Sequence, residues 1–202
     1  MKKAPPSTPD WDLLYETAAA QAGMFTTRQA ADSGYSPQLL VHHTRGGKFT
    51  RVQRGIYRVV HFPFQDREEL MLAWLWSDRA GVVSHQSALA LHALSDVLPA
   101  HVHLSLPSAW QRRRVRVPGG VVLHPADVPK SDRTWFGAVP VTTPLRTLTD
   151  CARSGLSPEL LQQAARQALQ RGLVTRQQLR EAQRAQARWS KGHEASSLIW
   201  LP

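Results

Sequence analysis

The most informative alternation of apolar and polar positions lies between Thr26 and Tyr57, TTRQAADSGYSPQLLVHHTRGGKFTRVQRGIY. Ser36 is a helix N-cap residue and Pro37 suits the first helical position, where its missing N–H costs nothing. Gly46 and Gly47 supply the left-handed backbone that ends such a helix. At about 100° per residue, Gln38, Val41, His42 and Arg45 share one side, while Leu39, Leu40, His43 and Thr44 share the other. One face is therefore built to pack and the other to meet a partner. Upstream, Thr26 or Thr27 caps a short helix to Asp32, Gly34 makes the turn, and Arg28 and Gln29 lie at that helix's N-terminus, which favours phosphate. Downstream, Phe49 to Val52 and Ile56 to Val59 read as two strands joined at Gln53, Arg54 and Gly55. Helix, turn, helix and hairpin together outline a winged helix-turn-helix. Lys48, Arg51, Arg54 and Arg58 would lie along phosphates, fixing register more than reading sequence.

Before this unit, Asp10 caps a bracing helix predicted to run to about Ala22, and Met24 with Phe25 adds a short strand. Beyond it, His61, Pro63 and Phe64 mark an interdomain boundary, since proline interrupts pairing where the wing would finish. The pattern then predicts a strongly apolar helix from Asp66 to about Arg79 and another, capped by Ser84, to about Leu94. Short strands follow at 101–106, 115–117, 121–124, 134–136 and 139–142. Three helices close the chain, starting at Thr143-Pro144, Ser157-Pro158 and Thr175. The expected fold is α+β: a winged helix-turn-helix over residues 1–62, then a mixed helix and small-sheet C-terminal domain over 63–202.

Charge sharpens this picture. The formal net charge of +10 divides as 8 − 4 = +4 for residues 1–62, 9 − 8 = +1 for 63–150 and 8 − 3 = +5 for 151–202. Both ends thus suit a polyanionic partner. Arg112, Arg113, Arg114 and Arg116 form the densest basic run, either a solvated strand edge or a second nucleic-acid contact. Arg166, Arg176, Arg180, Arg184 and Arg188 recur at near-helical spacing. Cys151 is the only cysteine, which rules out an intrachain disulfide and a cysteine-based metal cluster and fits a reducing cytoplasm. The opening MKKAPPSTPD lacks the apolar core of a secretory signal, and the apolar run Leu70 to Trp76 is too short to cross a bilayer. No membrane partner is expected.

Candidate chemistry is sparse. His101 and His103 share a strand face with His124 as a possible neighbour, but no carboxylate accompanies them, so no metal is expected. His85 and His92, seven apart, suit core or interface packing. There is no glycine-rich phosphate loop. Glu68, Glu69, Asp127, Asp132 and Asp150 lack the spacing of a metal-dependent nuclease, and Ser84 beside His85 serves as a helix cap. Neither catalytic residues nor a cofactor are expected. Arg146 and Asp150, four apart on one helix, can pair.

Four stretches in order, RVQRGIYR at Arg51 to Arg58, VVSHQSALALHAL at Val82 to Leu94, VHLSLP at Val102 to Pro107 and VPVTTPLRTLTDCA at Val139 to Ala152, resemble the AbiEi antitoxins of type IV toxin–antitoxin pairs. The likeness covers roughly residues 10–185. It implies a winged helix that binds inverted repeats in its own promoter and represses it, and a second domain that opposes a nucleotidyltransferase toxin without requiring a stable complex. His85, Arg146 and Asp150 fall within the matching stretches and are the candidate antitoxin-domain motif. For DNA, the candidates are Gln38, His42 and Arg45 on base edges, with Arg28, Lys48, Arg51 and Arg54 on phosphates. The alternative is a winged-helix regulator or protein-interaction adaptor unrelated to a toxin.

Overall fold

Asp10 opens the first helix, α1 (Trp11–Ala19), by accepting from the Leu13 N–H. In the computed structural model, which describes residues 8–113 and 116–190 with side chains to residue 185, that helix stops three residues short of the expected end. Ala22 and Gly23, both at positive φ, turn the chain into β1 (Met24–Thr26). Gly23 is required twice over, since a Cβ there would sit 2.5 Å from Phe62. Thr26 and Gln29 form a reciprocal capping box on α2 (Thr27–Asp32), satisfying two orphan N–H groups at once. After α3 (Pro37–Arg45), β2 (Phe49–Gln53) and β3 (Ile56–Val59) form a hairpin, and β1 pairs on the free side of β3 to give an antiparallel sheet ordered β1-β3-β2. Phe25, Phe49, Leu14 and Leu40 are its fully buried centre.

The next helix, α4 (Glu68–Trp76), starts two residues later than expected, after Arg67 in the left-handed region, and Asp66 does not cap it. It belongs with the first unit. The chain divides into Met1–Arg79 and Ala80–Pro202, so the boundary expected at 62/63 moves to 79/80. The physical reason is Arg58: it leaves β3 to pair with Glu68 in the first turn of α4, so the helix is fastened to the sheet.

The second unit is built on a five-stranded mixed sheet, ordered β6-β5-β4-β8-β7. Its strands are β4 (Val82–Val83), β5 (Val102–Leu106), β6 (Val121–Pro125), β7 (Arg133–Phe136) and β8 (Val139–Thr142). Central β4, only two residues long, gave no periodic signal. The expected strand at 115–117 is absent where described: Ser108–Arg112 is a 3₁₀-helix, Arg116 and Val117 are irregular, and Val115 lies outside the described residues. Helix α5 (His85–Leu91) and the three closing helices, α6 (Pro144–Arg153), α7 (Pro158–Gln170) and α8 (Arg176–Ser190), enclose a second core around Leu89, Leu148, Leu161 and Leu179. The molecule is α+β, with a winged helix-turn-helix at its N-terminal end. Among the described residues no helix is long and apolar enough to cross a membrane.

Candidate nucleic-acid interface

The Ser36 hydroxyl accepts from the Leu39 N–H at 3.2 Å, and Pro37 occupies the first turn of α3. Leu40 is 1% exposed. His43 packs its ring against Phe49 at 5.4 Å and Tyr35 at 5.8 Å, and its pKa is lowered by burial first, then by Lys48 and His42. A neutral imidazole is what that aromatic surround favours. Thr44 turns its hydroxyl back to the Leu40 carbonyl at 2.7 Å. With that side committed, Gln38, Val41, His42 and Arg45 are left exposed, as the helical spacing requires.

The hairpin turns tightly at Arg54 and Gly55, Gly55 having φ +77°. Its register slips between Arg51 and Gln53, a bulge that twists the ribbon. Arg51 and Arg54 are exposed there. Among the described residues neither they nor Arg45 has an acidic partner. Two of the expected phosphate contacts are drawn elsewhere. The Lys48 ammonium sits 3.6 Å over the Trp11 ring, which ties it to α1. Arg58 is 6% exposed. It pairs with Glu68, donates to the Phe62 and Pro63 carbonyls at 3.0 and 3.2 Å, and stacks its guanidinium 4.2 Å over Phe64. It is an internal fastener, and a reading of it as a phosphate contact is corrected. Arg28 is exposed at the start of α2, 3.8 Å from Asp78. With both side chains in solvent that pair is worth little, which leaves Arg28 free to switch partners. Gln29, by contrast, is occupied by its capping box and by donating to Gln21 at 2.8 Å.

In the second unit, Arg146 holds Asp150 with its Nε (2.9 and 3.0 Å) and Asp132 with Nη1 (2.9 Å). Burial raises the Asp150 pKa against the pull of Arg146. Burial also lowers that of Arg146, but the hydrogen bonds and charges of Asp150 and Asp132 outweigh it and leave the guanidinium above its ordinary value. Such a network positions α6 against the loop before β7. Asp132 was not a sequence candidate: fourteen residues separate it from Arg146, so no local spacing announces it.

His85 enters a different cluster. It opens α5 at φ +51°, an uncommon conformation for histidine that the surroundings must hold in place. Ser84, expected as a helix cap, makes no capping bond. Instead it accepts from the Ser105 hydroxyl at 2.8 Å and meets His85 Nδ1 at 2.9 Å. The His85 ring stacks on His124 with centroids 3.5 Å apart, and His124 Nε2 lies 2.9 Å from His103 Nδ1. Burial and the neighbouring rings push His85 down to about 3 and His124 down to about 4, and burial lowers His103 as well. Three neutral, stacked imidazoles follow. The His-x-His signal of the sequence thus marked one member, His103, whereas His101 is exposed outside the strand. No group of three or more His, Cys, Asp or Glu among the described residues is arranged to hold a metal. His85 therefore stands in this stack, while Arg146 and Asp150 stand together in theirs. His92 donates its Nε2–H to the Thr142 carbonyl, 2.7 Å away, and its pKa is lowered by burial. Arg112 and Arg113 end the 3₁₀ turn, with Arg113 4.5 Å over the Trp110 ring. Arg116 is exposed, and Arg114 lies outside the described residues.

A helix seated by one face on a three-stranded sheet, with its other face outward beside a two-residue-turn hairpin, is the architecture of duplex-reading winged helices. Residues 12–60 match the family described as "Transcriptional regulator, AbiEi antitoxin". The N-terminal segment from α1 to β3 is thus similar to the regulator domain of those antitoxins, over less than half of the chain. No curated protein matches. Among solved structures, the chain is similar to the RV2827C protein of Mycobacterium tuberculosis, with 16% identity, 80% of this chain and 75% of that chain covered, and a TM-score of 0.41.

Proposed function

We propose that the protein is a DNA-binding antitoxin of an AbiE-like, type IV toxin–antitoxin pair, working in the cytoplasm. Its N-terminal unit binds inverted repeats in its own promoter and represses the operon, and its C-terminal unit counteracts a nucleotidyltransferase toxin without catalysing a reaction. The observation that carries this reading is the unpartnered outer face of α3, Gln38, Val41, His42 and Arg45, beside the exposed wing arginines Arg51 and Arg54. In a duplex groove, Gln38 pairs with adenine edges and Arg45 with guanine edges, while the wing grips phosphate. The match of residues 12–60 to a transcriptional-regulator family supports the same assignment.

Gel shifts on the promoter at two salt concentrations test it. Arg45→Ala is expected to weaken binding to the operator selectively by about 1–3 kcal/mol. Arg54→Ala is expected to weaken all duplexes alike and to flatten the salt slope by about one contact. Full binding by both variants would sink the assignment. Copurification of a neighbouring gene product without any DNA affinity would favour an adaptor role, for which exposed Val41 offers an apolar contact.

A further inference from the structure

We infer that the outer edge of α8 is a second nucleic-acid contact, which holds phosphates through Arg176, Arg180 and Arg184 without reading sequence. The helix is well fixed. Gln178 N–H donates to Thr175 Oγ1 at 3.1 Å and Thr175 N–H donates to Gln178 Oε1 at 2.8 Å, closing its first turn. Leu179, fully buried, and Ala182 lock its rotation against the core. The three arginines then fall in one exposed row at four-residue intervals, about 6 Å apart along the axis.

Several features distinguish this row from an ordinary solvated face. A helix tuned only for solvent interleaves opposite charges four residues apart. Here each arginine has another arginine at that spacing, a repulsive placement made twice. Arg176 also lies in the first turn, where the helix macrodipole is positive, and no acidic residue accompanies it there to offset the repulsion. The nearest carboxylate on the helix, Glu181, accepts from Gln177 Nε2 at 2.9 Å. Among the described residues none of the three arginines has an ion-pair partner. The helix therefore carries uncompensated charge that a polyanion would relieve. The planar guanidinium fork suits phosphate oxygens better than a point charge. A row about 12 Å long also spans three or four phosphates of one strand, at ~3.4 Å of axis each. The charge of residues 151–202, 8 − 3 = +5, has the matching sign.

This inference does not depend on what the winged helix reads, and its test keeps the two apart. Arg176→Gln, Arg180→Gln and Arg184→Gln are combined in the full chain. The combination is also made in a background where Arg51 and Arg54 are glutamine, so that wing contacts do not mask it. Binding to a duplex of arbitrary sequence and to a single-stranded RNA of the same length is followed across salt. The slope of log K against log salt is expected to fall by about 2.7 on the duplex and about 2.1 on the single strand. The relative loss on the two probes shows which nucleic acid the row prefers. Arg166→Gln on α7 should change neither. The melting temperature should stay level or rise as like charges are removed, which separates lost contacts from misfolding. An unchanged slope on both probes overturns the inference, as does an equal loss with Arg166→Gln. Loss of binding to phosphatidylserine vesicles with nucleic-acid binding intact overturns it too.

Discussion

Arg58 lies one register position from the exposed wing residue Arg51, yet its removal should unfold the first unit rather than release DNA. Its side chain is 8% exposed and that of Glu68 17%. Arg58→Ala strands the Glu68 carboxylate in a largely dry site and leaves the Phe62 and Pro63 carbonyls without their donor. Breaking one side of a buried pair costs about 3–5 kcal/mol. The residual exposure of Glu68, and its remaining bond from the Gln65 N–H at 2.9 Å, place this case near ~3 kcal/mol. In a unit of this size each kcal/mol moves the midpoint by about 4–8 °C, so melting should fall by at least ~12 °C. Glu68→Gln keeps an acceptor for Arg58 and should cost only about 1–2 kcal/mol. Replacing both residues, as Arg58→Met with Glu68→Leu, should recover stability to within about 1 kcal/mol of the parent. Urea unfolding of the full chain, with hydrogen exchange read on peptides from β2 to α4, measures each step. The double variant should bind DNA with the parental salt slope. An Arg58→Ala protein that melts with the parent, or a stable double variant whose slope drops by about one contact, would refute the fastener role.

Two further outcomes are expected. Val41 is 47% exposed on the outer face of α3, where a β-branched residue gains the helix nothing, so its methyls should meet a thymine methyl in the groove. Deoxyuridine at one thymine of the selected site should weaken the parent about fourfold, near the worth of one buried carbon, and leave Val41→Ala unaffected; equal sensitivity of both proteins would exclude the contact. His85 is lowered to about 3, so between that value and its ordinary ~6.5 the unfolded chain binds more protons than the folded one. Stability from His85 is therefore complete above pH ~6.5 and is lost as pH falls, about 2 kcal/mol by pH 5. The unfolding free energies from urea titrations at pH 7 and 5 should converge by that amount in His85→Gln, and an unchanged pH dependence would reject the buried neutral ring.

Local chemistry explains which parts of the first unit were legible. Ser36, Pro37 and Gly47 act on the backbone within a turn of themselves, and α3 has the bounds they specify. Its two faces followed from the same spacing, because Leu40 and His43 need only the adjacent sheet to be covered. Arg58 could not be read that way. As a basic residue on a hairpin strand it is indistinguishable in sequence from Arg51, and only Glu68, ten residues on, decides that it turns inward. The moved boundary has the same origin: β3 ends at Val59, before Pro63, but Arg58 holds the Phe62 and Pro63 carbonyls and the Phe64 ring, and its ion pair with Glu68 carries the unit onward to α4.

In the second unit the balance reverses, because its sheet is assembled from distant segments. The pairs β5 with β6 and β4 with β8 are parallel, so each needs a crossover, and a two-residue strand such as β4 exists only because Val82 and Val83 find partners on both sides. The stack of His85, His103 and His124 is drawn from three elements, α5, β5 and β6. The Arg146 network joins α6 to Asp132 across β7 and β8. Neither has a sequence period to betray it. By contrast the α8 row was visible as near-helical spacing, and the structure added what spacing cannot show: Arg176, Arg180 and Arg184 face outward with no ion-pair partner among the described residues, and Arg176 lies in the first turn, where positive charge is least welcome. A residue pattern that local energetics disfavours twice, on a helix capped at its start by Thr175 and seated by buried Leu179, is better explained by a partner's negative charge than by solvent, and the salt slope is the quantity on which those two explanations differ.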